Sequence, residues 1–162
     1  LRPGANDQLL YTTYLYGGAP LEPVARLTWM SLRSGARVYL SPDGARNFEP
    51  AFSPDGRFVA FLRAGSASDD LYVMTLAASF SREPRPAPSD AALLLQAGIV
   101  SQPVWAPDGS AIAFLMLVNG SFDLFILPVA GTADGTIHAT GPAKAVTHGS
   151  FLDADSRLAW SR

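Results

Sequence analysis

Two histidines, His138 and His148, are the only side chains whose ordinary proton affinity suits acid–base work near neutral pH. His138 stands in a Gly/Thr-rich stretch that reads as a solvated loop, and His148 stands just before an apolar-aromatic segment. No serine sits in the Gly-x-Ser-x-Gly elbow that presents a nucleophile. Asp153 and Asp155 look like a fragment of a calcium loop, but the third spaced carboxylate and the later bidentate glutamate are absent. Asp69 and Asp70 read as strand-entry polarity, and Gly4, Gly17, Gly18 and Gly35 make no phosphate cradle because none opens a helical segment. With no cysteine, thiolate nucleophiles, zinc-thiolate sites and disulfides are excluded. The residue types point away from catalysis and from a bound metal or other cofactor, and toward binding or a structural role.

Composition sets what must hold those residues. The 162 residues include 12 basic and 14 acidic side chains, for a formal charge of −2. No clustered basic surface is legible, which argues against a nucleic-acid footprint, and no apolar run approaches the length of a membrane helix. Charged residues are 16%, against about 25% in a typical domain. Lys144 is the only lysine, and Glu22, Glu49 and Glu83 are the only glutamates. Amphipathic helices therefore lack the residues of their wet faces, whereas 14 glycines and 13 prolines supply many turns. An all-β chain is expected. Eleven arginines to one lysine suggest a GC-rich bacterial genome, and the start at Leu1 suggests a processed or excised segment.

A repeat runs along the chain. Glu49-Pro50-Ala51-Phe52-Ser53-Pro54-Asp55-Gly56 followed by Phe58 to Leu62 matches Gln102-Pro103-Val104-Trp105-Ala106-Pro107-Asp108-Gly109 followed by Ile112 to Leu115, at an offset of 53. A worn copy follows 46 residues later, with Phe151 in place of the first aromatic and Trp160 in place of the second. Pro-Asp-Gly is turn chemistry: proline pre-sets φ, aspartate bonds the backbone ahead, and glycine supplies the positive φ. Asp55 and Asp108 are therefore turn-builders. The strand after each turn is apolar at successive positions, the pattern of a strand covered on both faces. A third strand follows at 70–76 and 123–127, and a weaker fourth at 92–96 and 143–147. Units of about 40 to 50 residues with several short strands belong to propeller blades.

These units resemble the TolB-like, WD-like β-propeller repeat, marked by Pro-aromatic-Ser-Pro-Asp-Gly and then by a strand like Asp70-Leu71-Tyr72-Val73-Met74. The expected fold is an all-β propeller of four-stranded antiparallel blades, about three plus a partial one. Residues 1–46 read as a blade lacking its first strand (strands at 8–13, 27–32 and 37–40), 47–98 and 99–147 as full blades, and 148–162 as the first two strands of another. The loops 79–90 and 128–142 read as surface excursions on the face of the Pro-Asp-Gly turns. The aromatics Phe52, Trp105, Phe61, Phe114 and Trp160 read as core.

The resemblance implies that a protein or peptide partner enters at the rim of the central channel. It nominates Asn47, Glu49, Ser101, Gln102 and His148, the residues just before the innermost strands, as partner-binding groups, and implies an extracytoplasmic location. Two other roles are open: a regulatory propeller beside a hydrolase domain, and a self-assembling scaffold without a ligand. About half of an expected six-blade ring would leave two blade faces wet, which forfeits about 6–12 kcal/mol for four large apolar side chains per face. Either the chain is cut from a longer propeller or copies of it close the ring; closure into a homodimer or higher closed ring, with a rearranged terminal strand, is expected.

Overall fold

The computed structural model describes residues 7–15, 24–41, 45–76, 91–132 and 135–161. Among them there is no helix. The strands are β1 (Gln8–Leu15), β2 (Val24–Ser31), β3 (Arg37–Tyr39), β4 (Asn47–Phe52), β5 (Phe58–Ala64), β6 (Asp69–Thr75), β7 (Ala91–Leu95), β8 (Val100–Trp105), β9 (Ala111–Val118), β10 (Ser121–Gly131), β11 (Ile137–Ala139) and β12 (Lys144–Ala145). They form three antiparallel sheets: β1-β2-β3, β4-β5-β6-β7, and β8-β9-β10 with both β11 and β12 on its outer side. The chain is thus all-β, with the sheet architecture of a partial propeller.

The doubly apolar strand has a direct physical cause. Along β5, Phe58, Ala60 and Leu62 belong to a core with Val100, Trp105, Ile112 and Phe114 of the third sheet. The alternate residues Val59 and Phe61 belong to a second core with Leu27 and Trp29 of the first. Side chains alternate across a strand, so a strand between two sheets needs apolar residues at every position. The Pro-Asp-Gly turns close as their chemistry demands. Ser53 N–H bonds Phe58 O and Ala106 N–H bonds Ala111 O, each at 2.9 Å. Asp55 Oδ1 accepts from Arg57 N and Asp108 Oδ1 from Ser110 N, each at 3.0 Å. Gly56 and Gly109 take φ of 68° and 76°, where a Cβ is strained.

Three expectations change. The stretch 128–142 is largely a hairpin: β10 runs on to Gly131 and β11 returns along it. Proline at 128 argues for a break, but Val129 and Ile137, 4% and 7% exposed, carry the ladder on by filling the core between the second and third sheets. The other loop, 79–90, lies outside the described residues. In the third repeat copy the turn begins at Asp153, where Ser156 N bonds Asp153 O as Gly56 N bonds Ser53 O. Leu152, one residue after Phe151, therefore stands where Phe52 and Trp105 stand. Phe151 is 80% exposed and Trp160 38% exposed, so neither is core. The two strands expected in 148–162 do not form among the described residues. Leu158 N–H, the counterpart of the Phe58 N–H that bonds Ser53 Oγ, bonds the side chain of Gln102.

Candidate channel-side cleft

The innermost strands converge on one cleft, with β1 as the inner strand of the first sheet. Residues 10–12 of β1, 49–51 of β4, 102–104 of β8 and the segment 154–158 line a space of about 620 Å³. β1, β4 and β8 each pair on one side only among the described residues, with β2, β5 and β9. Their other edges carry backbone N–H and C=O groups outside those ladders.

The sequence positions Glu49 and Gln102 at this cleft through β-bulges. The β4–β5 register shifts between Phe48 and Ala51, and the β8–β9 register between Ser101 and Val104. In each bulge two residues, Glu49-Pro50 and Gln102-Pro103 in turn, stand opposite a single residue of the partner strand. Proline brings no N–H, so leaving the ladder there sacrifices no proline donor. Glu49 and Gln102 take φ of 49° and 56°, a conformation that costs a non-glycine residue about 1–2 kcal/mol. This backbone turns each side chain toward the next sheet. The Glu49 carboxylate accepts from Ser101 Oγ at 3.2 Å and from the Gln102 N–H. The Gln102 amide donates to Ala154 O and accepts from Leu158 N at 2.7 Å. On the other side, Glu49 N donates to Thr12 Oγ1 at 3.1 Å. Side-chain bonds thus link each innermost strand to the next, and between β4 and β8 Trp105 Nε1 adds one to Ala51 O at 3.1 Å.

Of the five nominated residues, only Glu49 and Gln102 line the cleft. Ser101, 9% exposed, spends its hydroxyl on Glu49. Asn47 is a correction: it is fully buried and unavailable to a partner. Its Oδ1 accepts from Arg63 Nε at 2.9 Å and its Nδ2 donates to Ala45 O, which places the Arg63 guanidinium 4.2 Å from the Tyr72 ring centre. A buried polar group must be paired, and Asn47 pairs an arginine that also stacks on an aromatic ring. His148 is exposed on the crossover after β12 and does not line the cleft. His138 is exposed on β11. Thr12, Tyr11 and Arg157 were not singled out from the sequence; β1 lies outside the Pro-Asp-Gly repeat, so no pattern marked its inner face.

Asp123 is a further residue that sequence reasoning passed over, although it is the repeat equivalent of Asp70. Its carboxylate accepts from Gly149 N at 2.8 Å, Ser150 N at 3.0 Å and Thr147 Oγ1 at 2.9 Å, clasping the crossover that leads to 154–158. The Ser150 N–H foremost, then Gly149, Thr147 and the nearby His148, hold its pKa below the ordinary 3.8 against the opposing effect of burial. Because the folded value is the lower one, the clasp contributes fully above the ordinary carboxylate value and is lost as pH falls through the folded value. Hydrogen-exchange protection of Gly149 and Ser150 is expected to hold from neutral pH down to about 4. Loss of that protection already between about pH 7 and 5 would contradict the assignment.

No family model and no curated protein matches the chain. Solved structures do. TolB from Acinetobacter baumannii superposes with a TM-score of 0.54 at 15% identity, over 86% of this chain and 31% of that one. The β-propeller domain of the Trilobed protease from Pyrococcus furiosus, which has an open velcro topology, gives 0.54 at 15%, over 78% and 38%. A puromycin hydrolase complexed with PGG gives 0.58 at 22%, over 82% and 21%. The chain spans well under half the length of each. Architecture shared at such identities speaks for the fold, and the three sheets have the architecture of β-propeller blades, as in these structures.

Proposed function

We propose that the chain is a non-catalytic propeller module that binds an extended segment of a protein or peptide partner in the channel-side cleft. The observation that carries this reading is the convergence of three one-sided strand edges on a single space of about 620 Å³. An extended chain is the ligand whose own N–H and C=O groups complement such edges where the bonds between the sheets leave them open, and the volume falls in the range of about 300–1,000 Å³ usual for ligand sites. Pro50 and Pro103 give the cleft apolar walls between the polar Thr12, Glu49 and Gln102. Neither histidine lines it, which supports a binding role over a catalytic one.

The test is selection of a displayed peptide library against the chain, followed by affinity measurement on Pro50→Arg. Pro50 belongs to the bulge and makes no β4–β5 ladder pair, so arginine there fills the cleft and leaves the sheet paired. Selected peptides are expected to lose at least about thirtyfold in affinity, about 2 kcal/mol. Failure to select any peptide, or equal binding to Pro50→Arg, overturns the reading.

The likeness to a protease propeller domain and to a hydrolase supports a second reading, a propeller that gates a neighbouring hydrolase domain; a hydrolase domain encoded in the same gene would favour it. Self-association is supported by large exposed side chains on the first blade, Tyr14 at 55% and Tyr39 at 42%, and by Phe151 at 80%. Light scattering is expected to give at least twice the 17.2 kDa chain mass. A single-chain mass that does not change with concentration excludes self-association.

A further inference from the structure

We propose that residues 152–158 form a strap that holds the Gln102 amide of the channel-side cleft in cis, and that an extended partner peptide reaches that amide by displacing it. This rests on the peptide-binding reading of the cleft.

The strap is seated without a ladder. No strand is assigned between residues 146 and 161, yet 154–158 form one wall of the cleft. The Gln102 amide holds it twice, donating to Ala154 O and accepting from Leu158 N at 2.7 Å. Leu152 N adds a bond to Phe122 O at 3.0 Å, and Asp123 clasps the crossover just before it. In the two complete repeat units the N–H and C=O of the turn-flanking residues bond each other across the hairpin, Ser53 with Phe58 and Ala106 with Ala111. In the strap, Leu158, the counterpart of Phe58, gives its N–H to the Gln102 side chain.

A primary amide offers one donor side and one acceptor side, the same pair that a peptide group offers in a sheet. Gln102 therefore reads the strap as backbone, not as sequence. Any extended chain laid along the cleft presents the same C=O and N–H and can take the strap's place. Little apolar burial opposes the exchange: Phe151 is 80% and Trp160 38% exposed, and Leu158 is half-buried. A contact group taken in cis lowers the affinity for a ligand that needs it, in proportion to the fraction of molecules in which it is vacant. The strap thus sets the apparent affinity of the cleft.

The probe is a fluorescein-labelled peptide of residues 151–161, titrated into the full chain and followed by anisotropy. Leu158→Pro deletes the N–H that Gln102 accepts and leaves Gln102 intact. Asp123→Ala loosens the other end without touching the cleft. Circular dichroism identifies a variant that has lost its β-structure, in which case the other decides. Leu158→Pro, which releases one neutral hydrogen bond, is expected to bind the peptide about tenfold more tightly than the parent chain, and Asp123→Ala, which releases three bonds to a carboxylate, at least as tightly as that. Equal, measurable binding to parent and variants overturns the strap while the peptide-binding cleft stands. Binding to none of the three overturns both.

Discussion

Phe114→Ala is expected to lower the stability of the chain by about 3–5 kcal/mol, measured as a fall in the urea midpoint at unchanged slope. Phe114 is fully buried on β9. Its ring lies 6.0 Å from that of Phe125, with 16° between the planes, and it shares the core between the second and third blades with Phe58, Trp105 and Val129. Deleting it removes the transfer free energy of an aromatic ring and leaves a cavity between two sheets, which are held by their ladders and close over it only partly. Against a domain stability of about 5–15 kcal/mol, that loss is large. Trp160→Ala is the control. The repeat pattern places Trp160 in the same layer as Phe114, but the ring is 38% exposed and its removal is expected to change stability by less than about 0.5 kcal/mol. Comparable losses from the two substitutions would mean that the C-terminal segment packs as a blade strand.

Glu49 is the second site of large effect. Its carboxylate is the acceptor for the Ser101 hydroxyl and the Gln102 N–H, so Glu49→Ala leaves donors of the next blade unmatched. Hydrogen bonds to charged groups contribute about 1.5–3 kcal/mol each; because Glu49 is only half-buried, water replaces part of that, and a loss of about 2 kcal/mol is expected. Glu49→Gln keeps the acceptor oxygen and is expected to lose less than half as much. The backbone gives a second, independent prediction. At φ 49° glycine is unstrained, so Glu49→Gly is expected to be less destabilising than Glu49→Ala by about 1 kcal/mol. Chemical denaturation of the three variants checks the order Gln, Gly, Ala. An alanine variant equal to the parent would remove the blade-to-blade hook.

What the sequence revealed and what it hid divide along physical lines. The Pro-Asp-Gly turns were legible because three adjacent residues determine them: Asp55 and Asp108 bond backbone two residues ahead, and no distant partner is needed. β5 was legible because its neighbours on both faces are apolar, and burial on both sides leaves its mark in every residue. The role of Asn47 was not legible. Its position in the repeat suggested the channel rim, but its side chain is committed to Arg63, sixteen residues away, and sequence separation conceals such a pairing. The bulges at Glu49 and Gln102 were hidden for a related reason. A glutamate at positive φ has no local signature, since glycine and asparagine are the usual residues there, and it persists only because the carboxylate reaches the next blade. The end of β10 was misplaced at Pro128 because the propensity of one residue was outweighed by the core contacts of Val129 and Ile137.

Glu49 and Gln102 therefore do two things. They tie consecutive blades together, and they line the cleft where three strand edges meet. In the proposed binding mode Gln102 joins these roles, since its amide is the group that the strap and an incoming peptide would both need. A peptide selected on the parent chain should be titrated into the isotopically labelled protein and followed through its backbone amide shifts. The expected result is saturable shifts concentrated at Thr12, Glu49, Ala51, Gln102 and Leu158, with the amides of β7 and β11 unmoved. Shifts confined to the Pro-Asp-Gly turns or to the outer strands, with those five amides unchanged at saturation, would contradict binding in the channel-side cleft.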